Sequence, residues 1–241
     1  MDSPRHRLQM ELLIETLNLH WADRQDFYVG GNMFVYFSPD QVKTEDFRGP
    51  DFFVVLGVDR TRERRGWVVW EEGDKPPDVV IELLSDSTAD FDKKQKKEIY
   101  RTRLGAPEYY WYDPFSAELA GFAGSSRAYL PLQPDARDRI ISPAMGLALA
   151  RWEGKYQDIT ATWLRWETLD GQLLPTNSEC RQQEHERAEQ EHERAKQAAQ
   201  RAKQADQRAE QEHERAEQER QRAELLAAKL RELGIDPETL K

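Results

Sequence analysis

Every tryptophan, tyrosine and phenylalanine of this 241-residue chain lies before Pro175. The residues that follow are dominated by Glu, Gln, Arg, Ala and Lys, and they include no aromatic side chain. A segment of that composition cannot build a core, whereas about 170 aromatic-rich residues can bury roughly 70% of the surface that they expose when unfolded. The sequence therefore predicts one folded domain over residues 1–177, a long charged helix over 178–234 and a short tail over 235–241.

The domain contains short apolar runs that are typical of strands, each bounded by turn-forming residues. They are Asp51–Val58 (DFFVVLGV), Asp78–Leu84 (DVVIELL) and Glu108–Tyr112 (EYYWY), with Glu118–Phe122 as the hairpin partner of the last. Leucines at helical spacing in Arg7–Leu19 predict an opening helix. The polar residues 85–90 offer N-caps for a second helix that ends before Gly105. This order predicts an α/β fold with a mixed sheet flanked by helices.

Alanine recurs every seven residues in the charged segment, from Ala188 to Ala223. The positions three residues further on are Glu or Ala until Leu226, so the heptad lacks an apolar seam for most of its length and makes a poor coiled coil. Glu–Arg pairs three and four residues apart can support a solvated helix, each by roughly 0.3 kcal/mol. We expect either a solvated spacer that ends at Gly234 or an arm that forms a homodimer.

Charge, cysteine content and hydropathy exclude several classes of protein. The single cysteine, Cys180, rules out an intramolecular disulfide framework, and no Cys/His spacing typical of a zinc site occurs. The N-terminal residues lack the pattern of a signal peptide, and no apolar run approaches the ~20 residues that span a bilayer. We therefore expect a cytoplasmic protein with no membrane association. Of the net charge of −10, the residues before 179 carry −7. Phosphate repulsion thus argues against a general nucleic-acid coat, and a domain of this charge that acts on nucleic acid needs a local basic patch.

Glu82 is the most informative position, because it lies inside a run that is apolar on both faces, as in a central strand. An ionised carboxylate there is costly unless a cation or several donors meet it. It could bind a metal, or it could be a buried glutamate held by an arginine or by backbone amides. Asp51 favours the metal, because it opens the preceding strand and could bind the same cation if the two strands are neighbours. Two carboxylates with water and phosphate suit Mg²⁺, which can promote phosphodiester hydrolysis.

The helix after Glu82 carries Asp92, Lys96 and Tyr100 at intervals of four residues, which places them on one face. A lysine there could stabilise charge that develops on a phosphate, or the lysines could form an ordinary solvated face. Asp78 could assist from the edge of its strand or simply solvate the start of that strand. Weaker candidates are the basic loop Arg60–Arg65 as a phosphate contact, and the tryptophans as stacking surfaces rather than core. The histidines lie far from the carboxylates in the sequence, which disfavours a histidine-based mechanism.

Four motifs, GPDFFVV, PPDVVIELLSDST, FDKKQKKEIY and LGAPEYYWYDP, follow one another in the domain. In that order they resemble the Uma-type restriction endonucleases (Uma-two family) of the PD-(D/E)XK nuclease superfamily, from about the first helix to Trp166. The resemblance implies a restriction-endonuclease-like fold and cleavage of DNA with Mg²⁺ or Mn²⁺. It implies Asp51 and Glu82 as catalytic metal ligands and Lys96 as the catalytic lysine. The parent pattern has a lysine two residues after the acidic residue, where this chain has Leu84, so Lys96 acts from the helix. Lys93 and Lys97 are its adjacent alternatives.

Two other functions stay open on the sequence alone. The domain could be a catalytically silent nuclease-like module, with the charged helix acting as a scaffold or an oligomerisation arm. Alternatively, the domain could bind nucleic acid without cutting it. The acidic charge of the domain and Leu84 in place of the strand lysine both favour the silent module.

Overall fold

The computed structural model describes residues 3–38, 40, 49–85, 89–125 and 127–232. The chain divides into two compact units, Met1–Cys180 and Arg181–Lys241. The predicted cap residues at 86–88, the predicted helix end at Gly234 and the predicted tail over 235–241 lie outside the described residues. None of the helices in the described part of the chain has the length and apolar character needed to cross a membrane.

The first unit alternates helices and strands. Its elements are helix α1 (Pro4–His20), strands β1 (Phe27–Gly30), β2 (Val35–Tyr36), β3 (Phe52–Leu56), β4 (Trp67–Val68) and β5 (Val79–Leu83), helix α2 (residues 89–104), and strands β6 (Glu108–Tyr112), β7 (Leu119–Ser125), β8 (Ala128–Leu132), β9 (Ile140–Ser142), β10 (Leu147–Tyr156) and β11 (Ile159–Thr168). A further helix, α3 (Asn177–Glu232), begins in this unit and forms the described part of the second.

Six strands form the central sheet in the order β1-β3-β5-β6-β7-β8. Strands β5 and β6 are parallel, and the other neighbouring pairs are antiparallel. Because parallel neighbours need a crossover connection, α2 joins β5 to β6 across one face of the sheet. Strands β9, β10 and β11 form a second, antiparallel sheet, and β2 pairs with β4. The prediction of a mixed α/β fold is confirmed.

Strand β5 is buried along its whole length because both faces of the sheet are covered. On one face Ile81 belongs to a core that includes Leu17 of α1 and Trp166 of β11. On the other face Val80 belongs to a core with Tyr100 of α2. Side chains alternate along a strand, so Glu82 lies on the same face as Val80, towards α2. The sheet therefore places the one carboxylate of β5 under a helix rather than in solvent.

Helix α2 combines two kinds of helical turn. Ala89–Phe91 and Lys97–Ile99 are α-helical, whereas Asp92–Lys96 and Tyr100–Leu104 are π-helical. Residues four apart on a helix lie on nearly the same face, so Asp92, Lys96 and Tyr100 share the side of α2 that meets Glu82. Gly105 ends the helix with a left-handed backbone (φ 75°), as the sequence predicts.

The first turn of α3 is part of the domain. Thr176 Oγ1 accepts a hydrogen bond from the Glu179 amide (3.2 Å), and the Glu179 side chain accepts one from the Thr176 amide (2.8 Å), which is a capping box. Glu179 also receives two hydrogen bonds from the buried Arg165 of β11, at 2.9 and 2.7 Å. These contacts explain why the first compact unit extends to Cys180, three residues beyond the boundary that composition suggests. The rest of α3 buries no described residue.

Candidate active site

Asp51 and Glu82 lie near each other at one end of the sheet. Asp51 directly precedes β3, whose antiparallel register on β5 begins with Phe52 opposite Ile81, and Glu82 is the next residue of β5. The charge of Asp51 raises the pKa of Glu82, so the two carboxylates interact. Asp51 Oδ2 accepts a hydrogen bond from the amide of Leu83 at 2.7 Å, which holds the aspartate at the end of β5. The predicted proximity of the two carboxylates therefore results from a single strand pairing.

Helix α2 supplies the donors that meet Glu82, which is fully buried. Lys96 Nζ donates to Glu82 Oε2 at 3.0 Å, and the Tyr100 hydroxyl donates to Oε1 at 2.7 Å. Lys96 also forms an ion pair with the buried Asp92 at 2.9 Å. The spacing of four residues along α2 thus brings Lys96 and Tyr100 to Glu82 and Asp92 to Lys96. The alternative that Glu82 is held by an arginine does not apply, because its cationic partner is Lys96.

The electrostatics of this cluster follow from burial and from an excess of negative charge. Burial raises the pKa of Glu82 to about 8, and Asp51 and Asp92 add to that rise, while Lys96 and Tyr100 oppose it. Burial alone would lower the pKa of Lys96, but Glu82 and Asp92 hold it above its usual value. Lys96 therefore stays protonated across the physiological range, and it is a cation rather than a base.

The donor set fits a hard divalent cation. Asp51 and Asp92 both interact electrostatically with Glu82, and Lys96 is the cation that pairs with Glu82 and Asp92, so full ionisation leaves the cluster negative. Among the described residues, no group of three or more His, Cys, Asp or Glu side chains is arranged as a ready-made metal cage. Magnesium ions need no such cage, because they are usually held by one or two carboxylates together with water and substrate phosphate. Asp51 and Glu82 are the residues that could hold one.

A pocket of about 330 Å³ opens beside Asp51. Its remaining lining residues come from the start of α1 and from the turn after β1, and they are Ser3, Pro4, His6, Arg7, Met10 and Asn32. The histidines lie far from the carboxylates in the sequence, but in the fold His6 lines the same pocket as Asp51, because the start of α1 contacts the residue that follows β5. His6 Nε2 donates to the carbonyl of Leu84 at 2.8 Å, and in the neutral ring Nδ1 accepts from the Ser3 hydroxyl at 2.8 Å. The sequence gives no signal for this contact, since the two segments are 78 residues apart.

Lys93 and Lys97, the alternatives to Lys96, contact other residues. Lys93 pairs with Glu118 at 3.2 Å and lies over the ring of Trp111, and Lys97 lies over the ring of Phe122. Neither contacts Glu82 through a described hydrogen bond or ion pair. Of the lysines considered from the sequence, Lys96 is the one that the fold brings to the carboxylates.

Three other candidates have structural roles. Asp78 accepts a hydrogen bond from the Leu56 amide (2.7 Å) and pairs with Lys75, so it anchors the start of β5. Arg60 donates to three backbone carbonyls that follow α1, and Arg64 forms two hydrogen bonds with Glu72. These two arginines of the basic loop are therefore committed to internal contacts. Trp70 is 37% exposed and does not belong to the core, in contrast to the expectation from composition.

Comparison with known proteins agrees with the motifs. The family model Uma2, described as "Putative restriction endonuclease", matches residues 1–153. Among solved structures, the chain is similar to the crystal structure of a "putative nuclease" from Anabaena variabilis, with 19% sequence identity and a TM-score of 0.39. That match covers 60% of this chain and 75% of the other, and its TM-score is too low to support a comparison of individual residues. No curated protein matches significantly. Because the family model spans more than half of the sequence, the chain belongs to the Uma2 family.

Proposed function

We propose that the domain is a Mg²⁺- or Mn²⁺-dependent endonuclease that hydrolyses phosphodiester bonds of DNA. Asp51 and Glu82 would hold the cation, and Lys96 would act on the reacting phosphate. The observation that carries this proposal is the cluster itself, in which two interacting carboxylates and a protonated lysine meet near the end of a buried strand. Membership of the Uma2 family supports the nuclease class.

The carboxylates and the lysine have different roles in this proposal. When bound, a divalent cation supplies Lewis-acid stabilisation of the phosphate and activates water. Lys96 keeps its proton, so its ammonium group can orient the attacking water and stabilise the negative charge that develops on the phosphate oxygens. It cannot serve as the general base, because its neighbours hold its pKa above the usual value. This assignment makes the role of the lysine electrostatic.

Tyr100 and Asp92 are positioning residues in this scheme. The Tyr100 hydroxyl fixes one oxygen of Glu82, and Asp92 holds the ammonium group of Lys96 from the preceding turn of α2. The backbone carbonyl of Asp92 in turn accepts a hydrogen bond from the Tyr109 hydroxyl at 2.7 Å. The helix is thereby fixed to β6, and a fixed geometry is what electrostatic catalysis requires.

The test is cleavage of supercoiled plasmid and of single-stranded DNA, with Mg²⁺ or Mn²⁺ present, by the wild type and by Glu82→Gln. The amide retains the shape of the side chain and can still bond Tyr100, while Lys96 retains Asp92, so the variant is expected to fold. We expect nicking by the wild type, none in chelator and none by the variant. Equal cleavage by both proteins would refute the assignment of Glu82. Substrate binding without products in any metal would favour a domain that binds but does not cut.

A second candidate function rests on α3. The helix has 56 residues, a length of about 84 Å at 1.5 Å per residue, and it exposes Leu225 and Leu226. In that case the nuclease-like domain is silent, and α3 acts as a scaffold or joins two chains through a coiled coil. Light scattering on the full chain and on a chain that ends at Cys180 distinguishes a scaffold helix from a dimerising one. If each chain has the mass of its own monomer, dimerisation through α3 is excluded.

A further inference from the structure

The pocket beside Asp51 contains groups that the proposed hydrolysis does not use. Asp51 forms one part of its wall, and the start of α1 forms another, with the cationic side chain of Arg7. The side chain of Asn32 adds an amide, and Met10 adds an apolar surface. A volume of about 330 Å³ lies at the lower end of the range for small-molecule pockets. The pocket can therefore take one nucleotide unit rather than a folded partner.

Arg7 is the charged group of this pocket that is available to a ligand. Its side chain is 61% exposed, and its ion-pair partner is Glu11, one turn further along α1 at 2.7 Å. Exposed pairs of this kind contribute little to stability, so a phosphate can replace or share the carboxylate at small cost. The planar guanidinium group matches phosphate oxygens in a two-pronged arrangement.

Two contacts fix the pocket relative to the proposed metal ligands. His6, next to Arg7, has both ring nitrogens engaged, with Ser3 and with the carbonyl that follows β5. The imidazole ring of His6 lines the pocket and links the start of α1 to the strand that carries Glu82. Asn32 has a left-handed backbone (φ 49°), and its backbone N–H donates to the backbone carbonyls of Pro50 and Asp51 at 3.1 and 3.3 Å. Arg7 and Asn32 are therefore held at the same end of the sheet as Asp51.

We propose that this pocket binds the nucleotide unit next to the phosphodiester that is cut, with Arg7 contacting its phosphate. The inference rests on the proposed function, because Asp51 serves both the pocket and the metal site. The residues before 179 carry a net charge of −7, which repels phosphate, so the domain needs a cation at the site to bind one. Arg7 supplies that cation. Arg7 is in this scheme a substrate-binding residue and has no part in the bond-breaking step.

The experiment measures binding without cleavage. Fluorescence anisotropy of a 5′-fluorescein single-stranded 12-mer DNA is recorded in EDTA, for the wild type and for Arg7→Gln. We expect the variant to bind roughly tenfold more weakly, which is the loss of one charge-assisted contact. Its plot of log affinity against log salt concentration should be less steep by about 0.7, the value for one phosphate contact on a single strand. In metal, KM should rise with kcat changed less than about twofold, since uniform binding is lost.

The matched control is Arg137→Gln. Arg137 is likewise an exposed arginine with a carboxylate partner, Glu167, which keeps Arg139 when Arg137 is changed. This variant removes the same charge outside the pocket, and it should bind like the wild type. Glu11→Gln, which frees Arg7, should bind at least as tightly as the wild type. Tryptophan-fluorescence melting of each variant verifies the fold.

The outcomes separate this inference from the proposed function. If Arg7→Gln and Arg137→Gln bind equally, or if the wild type does not bind the 12-mer, the inference is overturned, whatever the protein cleaves. If Arg7→Gln weakens binding but no metal supports cleavage by the wild type, the pocket stands and the proposed hydrolysis fails. If the wild type cleaves DNA and Arg7→Gln has an unchanged KM, the proposed nuclease function is supported and the proposal that the pocket binds a nucleotide is overturned.

Discussion

Replacing Glu82 by glutamine should stabilise the domain at neutral and alkaline pH. Burial raises the pKa of Glu82 to about 8 from 4.5, so the folded state binds a proton that the unfolded state releases in this range. The stability that comes from this proton is fully present below pH 4.5 and is lost as the pH rises through about 8. Lys96 is protonated in both states throughout this window, so it adds no slope of its own.

The size of the effect follows from the same shift. Each pKa unit corresponds to about 1.4 kcal/mol, so the wild type should lose up to about 3 kcal/mol between pH 4.5 and 7 through this group. Above pH 8 the loss approaches about 5 kcal/mol. The variant lacks this loss, and titrating groups that do not interact with Glu82 cancel in the difference between the two proteins. The free energy of unfolding of Glu82→Gln minus that of the wild type should therefore grow with pH.

Urea unfolding followed by tryptophan fluorescence measures this difference in EDTA at pH 5, 7 and 8. All seven tryptophans lie in the first unit, so α3 beyond Cys180 contributes no signal of its own. Glu118→Gln, which changes an exposed glutamate, serves as the control and should show no such trend. Magnesium should restore stability to the wild type at pH 8, and it should not do so for the variant. A difference that does not change between pH 5 and 8 would refute the reasoning.

Two further predictions concern the same domain. Lys96→Met removes the cation that Glu82 and Asp92 share, so it should lower the free energy of unfolding by about 3–5 kcal/mol and abolish cleavage. The control is Lys94→Met, because the side chain of Lys94 is 76% exposed, and its free energy of unfolding should stay within about 0.5 kcal/mol of the wild type. A chain that ends at Cys180 should be as stable as the full-length domain, whereas one that ends at Pro175 should lose about 1–3 kcal/mol, because the buried Arg165 then lacks Glu179. Urea titration checks both, and equal stability of the two truncated chains would contradict the anchoring of α3.

Local spacing carries the features that the sequence predicts well. The apolar run around Glu82 specifies a buried strand because its side chains alternate between two covered faces. The interval of four residues from Asp92 to Tyr100 predicts a shared helix face, and the structure brings that face onto Glu82. The missing aromatic residues after Pro175 predict a helix without a core, and the described part of α3 beyond its first turn is exposed or half-buried. These features depend on neighbours in the chain, which is why they can be read from it.

Tertiary pairing decided the rest. The pairing of β3 with β5, and not any local pattern, brings Asp51, the residue before β3, close to Glu82. The start of α1 meets the end of β5 through His6, which adds Arg7 to the surroundings of Asp51. The first compact unit extends to Cys180, and Arg165, which is buried in β11, binds the carboxylate of Glu179 in the first turn of α3. Composition and periodicity describe which residues can be buried. Which of them become partners depends on how distant segments pack, and that information exists only in the folded chain.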